Sequence, residues 1–306
     1  IGELLEPVYD ELVANSVEKA DPNLYLKEKS SISYTLAQSY VATRDTLKSR
    51  IYVKKMLADA NYYHEYYNTK ESKRNLVDCL HQAFLYNLKF NIDLKMGVLY
   101  LQQAIALQEE LYNEEPNRQI AMLAYLHSHL GAVYDNLYIK YPNEEEYYNK
   151  VLAEYEVACK LYEDAIQANP VAYTTYIIEG YRLLARAYLN HENHIDLEKA
   201  KKYLDRSWFF LNKIDKDNKD DYCFKAAYYY TDLALYYSVA KDYKNAEENA
   251  TKSVEYFTLL YERSPKTYRA ALANIYSLLK KSIAAQNAND TIRIKEINEK
   301  IKSIAK

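Results

Sequence analysis

Glycine, proline and cysteine are scarce in this 306-residue chain, at four, six and three residues. Average usage would supply roughly 37 glycines and prolines together; ten are present. A sandwich, barrel or doubly wound sheet needs many tight turns, and this composition excludes them in favour of long helices joined by few turns. Gly2, Gly97, Gly131 and Gly180 stand at least 34 residues apart. Neither a G-x-G-x-x-G dinucleotide loop nor a Walker-type phosphate loop can be assembled from them. Cys79, Cys159 and Cys223 are odd in number and widely spaced. They provide neither a disulfide framework nor a C-x-x-C metal site, which suits a reducing compartment, and cytoplasmic residence is expected.

Excess positive charge is missing as well. The net charge is -3 and no long run of lysine or arginine occurs, whereas a protein that binds by neutralising phosphates needs a basic face, so no nucleic-acid partner is expected. The longest stretch without Asp, Glu, Lys or Arg runs for 16 residues from Gln119 to Tyr134 and holds two histidines. That is too short and too polar to span a bilayer. The chain opens on Ile1 with no apolar leader, which reads as a piece of a longer protein. What is abundant is tyrosine, with 36 residues.

The sequence repeats itself. Pro22, Pro116, Pro170 and Pro265 open similar text, and fourteen residues after each stands a leucine: Leu36, Leu130, Leu184 and Leu279. In the first three a small residue follows (Ala37, Gly131, Ala185), and a tyrosine comes four after the leucine (Tyr40, Tyr134, Tyr188). Two further copies begin at Lys70, leading to Phe84, Leu85 and Leu88, and at Lys219, leading to Leu233, Ala234 and Tyr237. The starts at 22, 70, 116, 170, 219 and 265 are separated by 48, 46, 54, 49 and 46 residues, a period that signals a solenoid. Each copy also carries a second stripe at helical spacing, such as Ala246, Ala250, Ser253 and Phe257, or Ser49, Val53 and Met56. Asp45, Asp93, Asp196, Asp242 and Asp290 precede these stripes as N-caps, since a carboxylate accepts the orphan amide protons of a first turn. Small residues at fixed offsets allow two antiparallel helices to approach within about 8–10 Å.

The expected architecture is all-α, with about six antiparallel helix pairs stacked as one repeat domain over residues 22–306. Residues 1–21 read as a leading helix or cap, the remnant of a preceding unit. An insertion of 15 residues in the third copy makes Asp135–Tyr148 the expected long surface loop. The tyrosine clusters are read chiefly as packing between units, where an apolar ring with a wet hydroxyl is well suited.

Leu130-Gly131-x-x-Tyr134, Ala158-x-x-x-Tyr162 and Pro170 match the pattern of the tetratricopeptide repeat (TPR) family, and Leu233-Ala234-x-x-Tyr237 with Ala246 and Ala250 is a second match. The chain resembles a long-helix TPR protein over roughly residues 22–305, with about fourteen residues more per unit than the family's 34. It departs from the pattern in lacking its tryptophan. The resemblance implies a right-handed α-solenoid whose first helices line a concave groove for a protein or peptide partner. Carried onto this register, the groove positions are Tyr34 and Gln38; Gln82, Tyr86 and Lys89; Tyr125, Ser128 and Ala132; Arg182 and Arg186; and Tyr228, Thr231 and Leu235. Arg182 and Arg186 are i, i+4 neighbours and could jointly take a carboxylate or phosphate, or pair with Glu179 and other acids. The lysine and asparagine of the chaperone carboxylate clamp stand here as Tyr34 and Gln38, so the resemblance does not extend to that ligand.

Catalytic and metal patterns are sparse. His127 and His129 are two apart and point in nearly opposite directions on a helix. His191, His194 and Asp196 do not form the H-E-x-x-H pattern. Arg74 with His81, and Arg186 with His191, fit the loose R-x(4–6)-H spacing of a helical ribonuclease, which carries little weight among ten arginines and six histidines. We expect no enzyme, cofactor or metal. The leading function is a non-catalytic peptide-binding scaffold. The alternatives are the sensor half of a larger signalling, transcription-regulating or defence protein, and a helical ribonuclease.

Overall fold

A computed structural model describes residues 7, 8, 11, 25–214, 219–287 and 289–305. The expected leading helix or cap falls almost entirely outside the described residues. Twelve α-helices follow among them: α1 Leu26–Thr43, α2 Thr46–Tyr67, α3 Lys70–Phe90, α4 Leu94–Glu114, α5 Pro116–Lys140, α6 Glu145–Ala168, α7 Pro170–Ala187, α8 Leu197–Leu211, α9 Lys219–Val239, α10 Tyr243–Arg263, α11 Pro265–Gln286 and α12 Thr291–Ala305. No strand occurs among the described residues. The helices form six antiparallel pairs, α1 with α2 through α11 with α12, in the register of the sequence repeats.

Local chemistry sets the boundaries. The side chains of Asp45, Asp93, Asp196, Asp242 and Asp290 each accept a hydrogen bond from a backbone amide in the first turn of the following helix. Thr69 and Ser72 form a reciprocal capping box at the start of α3. Pro116, Pro170 and Pro265 occupy the first position of their helices, where the missing N–H costs nothing. With so little glycine, several turns close on other residues: Arg44, Asn68, Asn91 and Lys241 adopt left-handed conformations at φ of 45–61°.

The chain divides into two compact bodies, residues 1–161 and 162–306, with the boundary inside α6. Composition shows no break there. In a repeat array each pair touches only its neighbours, so compact units separate without a linker. In the N-terminal body α1, α2, α3, α4 and α5 each pack on the next, and the first helices α1 and α3 also touch. The anchors Leu36, Phe84 and Leu130 are buried, with Ala37 and Gly131 beside the first and last. Met56, Leu101 and Ala104 bury the stripes of the second helices. The absence of a Cβ at Gly131 lets the ring of Tyr155 lie where that atom would be, 2.6 Å away.

The expected surface loop at Asp135–Tyr148 is a correction. α5 continues to Lys140 and α6 starts at Glu145, leaving a turn of four residues. The added residues lengthen two helices because they extend the buried stripe: Leu137 and Tyr138 are buried on α5, and Tyr148 on α6 packs its ring 5.5 Å from Tyr138. Glu145 and Glu146 lie in the first turn of α6, where a helix favours negative charge.

In the C-terminal body successive helices from α7 to α12 pack on one another, and the first helices touch in turn, α7 with α9 and α9 with α11. Leu184 and Leu279 are buried anchors, with Ala185 and Ala234 fully buried beside the anchor positions. Ala246, Ala250, Ser253 and Phe257 line up on the buried face of α10. Burying a side chain such as Leu or Phe contributes about 1.5–3 kcal/mol. Tyrosines join the helices through ring contacts such as Tyr188 with Tyr203 and Tyr230 with Tyr256.

Candidate functional site

The contact between α1 and α3 brings the first groove positions together. The amide of Gln38 donates to the Tyr34 hydroxyl at 2.8 Å and reaches Gln82 Oε1 at 3.4 Å. Lys89 Nζ lies 3.5 Å from the carbonyl of Ala42. Gln38, Val41, Ala42, Gln82, Leu85, Leu88 and Lys89 line an open cavity of 540 Å³. Its wall combines apolar side chains with two amides and one cation, a surface that can hold an extended chain through side-chain and main-chain contacts at once. Tyr86, carried onto the groove by the resemblance, is instead 6% exposed, with its ring 5.2 Å from Phe90. Burial pushes its hydroxyl pKa up and Arg50 on α2 pulls it down, so it belongs to the packing of the helix pair.

A second constellation joins α3 and α5. His81 Nε2 and His129 Nδ1 are 3.0 Å apart, and the Tyr125 ring packs on both imidazoles, with centroids 5.3 and 4.2 Å away. Burial lowers the pKa of His81 to about 4, and burial with the neighbouring His81 lowers that of His129 to about 3. Both rings are therefore neutral at pH 7, and one donates the proton of the shared hydrogen bond. His127 faces elsewhere, 2.7 Å from Glu154. Ser128 is buried and Ala132 half-buried. Arg74, the other half of the ribonuclease spacing, pairs with Glu115 at 2.5 Å, away from His81. No group of three or more His, Cys, Asp or Glu converges as a metal site among the described residues.

In the C-terminal body Arg182 on α7 is 1% exposed. Its Nη1 donates to Glu179 at 2.6 Å, Nε lies 2.6 Å from Asp232 on α9, and its guanidinium stacks 4.9 Å from the Tyr228 ring centroid. Burial disfavours the charge on Arg182, but Asp232 and Glu179 outweigh it and raise the pKa. Of the two readings of this arginine pair, Arg182 follows the one that pairs it with Glu179 and other acids, in a buried ion cluster, while Arg186 remains 44% exposed at 3.8 Å from Asp232. Lys225 also faces Glu179, at 3.9 Å. Thr231 is half-buried and bonds to Ala227 and Ser253, and Leu235 is half-buried.

Register alone missed Val41, Ala42, Leu85 and Leu88 of the cavity lining. Leu85 and Leu88 stand where other copies have a small residue and a tyrosine, and that substitution leaves apolar side chains beside the cavity.

No family model and no curated protein matches the sequence. Solved structures do. The chain is similar to BtubC from P. vanneervenii, with a TM-score of 0.61 and 16% identity over 88% of this chain and 91% of that one. It is similar to a signal transduction ATPase with numerous domains (STAND) protein with a tetratricopeptide repeat sensor from Pyrococcus horikoshii, with a TM-score of 0.60 and 15% identity over 98% of this chain. It spans 40% of the length of that protein. The nearly identical TPR-like repeats of a kinesin light chain candidate from Podosopora anserina match with a TM-score of 0.54 and 14% identity, over 78% of this chain and 98% of theirs. The chain therefore has the TPR-like helical-repeat fold.

Proposed function

We propose that this chain is a non-catalytic scaffold that holds an extended peptide, or a peptide-like segment of a partner protein, against its first helices. The observation that carries this reading is the α1/α3 cavity, where Gln38, Gln82 and Lys89 offer polar contacts between Val41, Leu85 and Leu88. Side chains of the types that serve acid–base chemistry have other work: Arg74 neutralises Glu115, and His81 and His129, in contact with each other, are held neutral by burial. No helix among the described residues is long and apolar enough to cross a membrane, and the buried thiols of Cys79, Cys159 and Cys223 suit a reducing compartment.

A photo-crosslinking residue in place of Ala42, which lines the cavity, is expected to capture a partner in native extract, and Leu88→Arg is expected to abolish that capture. The same crosslinker in place of Leu47, 72% exposed on α2, serves as the control. Equal capture at both positions, or capture at Ala42 indifferent to Leu88→Arg, rejects the groove. A second reading, the sensor half of a larger protein, is favoured by the likeness to a STAND protein whose sensor is a tetratricopeptide repeat. Under that reading the same groove takes the signal, and an effector module encoded with this chain is the expected companion.

A further inference from the structure

We propose that the α1/α3 groove selects an extended peptide carrying two opposite charges, with a lysine or arginine side chain seated at Asp78 and a carboxylate seated at Lys89, about five residues apart. This rests on the peptide-binding reading above and assigns the class of ligand.

The charges at the start of α3 are paired. Lys70 pairs with Glu114 and Glu115, Glu71 with Lys27 at 2.7 Å, Lys73 with Glu110 at 2.6 Å, and Arg74 with Glu115 at 2.5 Å. Asp78 and Lys89 are different: neither meets an opposite charge among the described residues, and the contact of Lys89 is with the carbonyl of Ala42 at 3.5 Å. Both are exposed. They lie on the face of α3 that also carries Gln82 and Leu85, at helical spacings of four, three and four residues.

Asp78 has the surroundings of a receiving group. Protein mass around it pushes its carboxyl pKa up with no cation to pull it back. The Tyr34 hydroxyl beside it is pushed up as well, first by burial and then by Asp78 itself. A carboxylate without a counter-charge gains from a cation delivered by a ligand, through a charge-assisted hydrogen bond.

Spacing supplies the rest. Eleven residues of helix separate the two charges, a rise of about 16 Å, which an extended chain covers in about five residues. Between them the exposed Gln38 amide touches the buried Gln82 amide at 3.4 Å, a weak contact that can open and free Gln38 to bond a peptide backbone. Leu85, Leu88 and Val41 take the intervening apolar side chains. Opposite charges at the ends fix the direction in which the peptide lies, because the reversed charge order sets like charges together.

The test is a phage-displayed library of random 12-residue peptides, selected on the whole chain and counter-selected on Leu88→Arg. Groove-dependent clones are expected to carry Lys or Arg about five residues from Asp or Glu. Asp78→Lys or Lys89→Glu is expected to weaken them roughly tenfold or more, as loss of a charge-assisted contact does. Peptides with the two charges exchanged are expected to bind the double variant Asp78→Lys/Lys89→Glu, a gain that misfolding cannot mimic. Groove-dependent clones without the charge pair, or indifferent to both substitutions, overturn this inference and leave peptide binding standing. A selection yielding no groove-dependent clone overturns both.

Discussion

Replacing Asp232 by asparagine strips the counter-charge from a guanidinium that hardly meets water. The side chains of Arg182 and Asp232 are 2% and 1% exposed, with Nε and Oδ2 2.6 Å apart. Breaking a buried ion pair by removing one partner costs about 3–5 kcal/mol, because the other charge is left uncompensated. Two features of this cluster point to the low end. Glu179 remains 2.6 Å from Nη1, although it is 41% exposed and so partly screened. The Nε to Oδ2 contact is ionic and not an aligned hydrogen bond, so no well-formed hydrogen bond is lost with the charge. About 3 kcal/mol is the expected loss. Urea unfolding at pH 7, followed by far-ultraviolet circular dichroism, measures it as a fall in midpoint at constant slope. The double variant Arg182→Met/Asp232→Leu is expected to regain most of the loss, since apolar replacement of a buried pair is often neutral or stabilising by about 1–4 kcal/mol. An Asp232→Asn midpoint within about 0.5 kcal/mol of the parent protein, the range of ordinary surface substitutions, would show that Arg182 does not depend on this partner. Arg182 would then return as a ligand-binding cation.

The imidazole pair makes stability depend on pH. Folded-state values of about 4 for His81 and about 3 for His129 lie below the ordinary 6.5. The unfolded chain therefore takes up protons first, and stability is full above pH 6.5 and falls as pH drops from there towards 4. Each histidine contributes a slope approaching about 1.4 kcal/mol per pH unit, so urea midpoints at pH 7 and pH 5 should differ. The double variant His81→Gln/His129→Gln should flatten that difference, and an unchanged slope would refute the assignment. Gly97 and Gly131, both inside helices, should respond oppositely to alanine. At Gly131 the new Cβ meets the Tyr155 ring at 2.6 Å, an overpacking expected to cost about 1–3 kcal/mol. At Gly97 it meets Phe84 at 3.4 Å, and relief of the glycine penalty should stabilise by up to about 1 kcal/mol. Thermal melts that rank the two variants the other way would contradict the packing described for α5 and α6.

Periodic information is local, and the helix pairs could be read directly from it. A cap such as Asp242, a stripe such as Ala246, Ala250, Ser253 and Phe257, and an anchor such as Leu184 each depend on a few neighbours along one helix, so their spacing already determines which face is buried. The same register led to Gln38, Gln82 and Lys89, which the structure gathers around one cavity. Position on a helix determines an angle but not what covers it. Arg182 and Tyr34 share a groove offset, two before the anchor leucine, yet Arg182 is closed in by Asp232 and Tyr228 from the next first helix, while Tyr34 stays half-buried beside the exposed Gln38. Tyr86, 6% exposed, is likewise closed in on the side of α2, where Arg50 faces its hydroxyl. The insertion at Asp135–Tyr148 had loop-like composition around Pro142, but Leu137, Tyr138 and Tyr148 found partners on facing helices and extended both. The repeat and its caps were thus determined by the sequence alone. Which inner-wall side chains remain open to a ligand was decided only by tertiary structure, because burial is a property of two surfaces and the second belongs to a distant part of the chain.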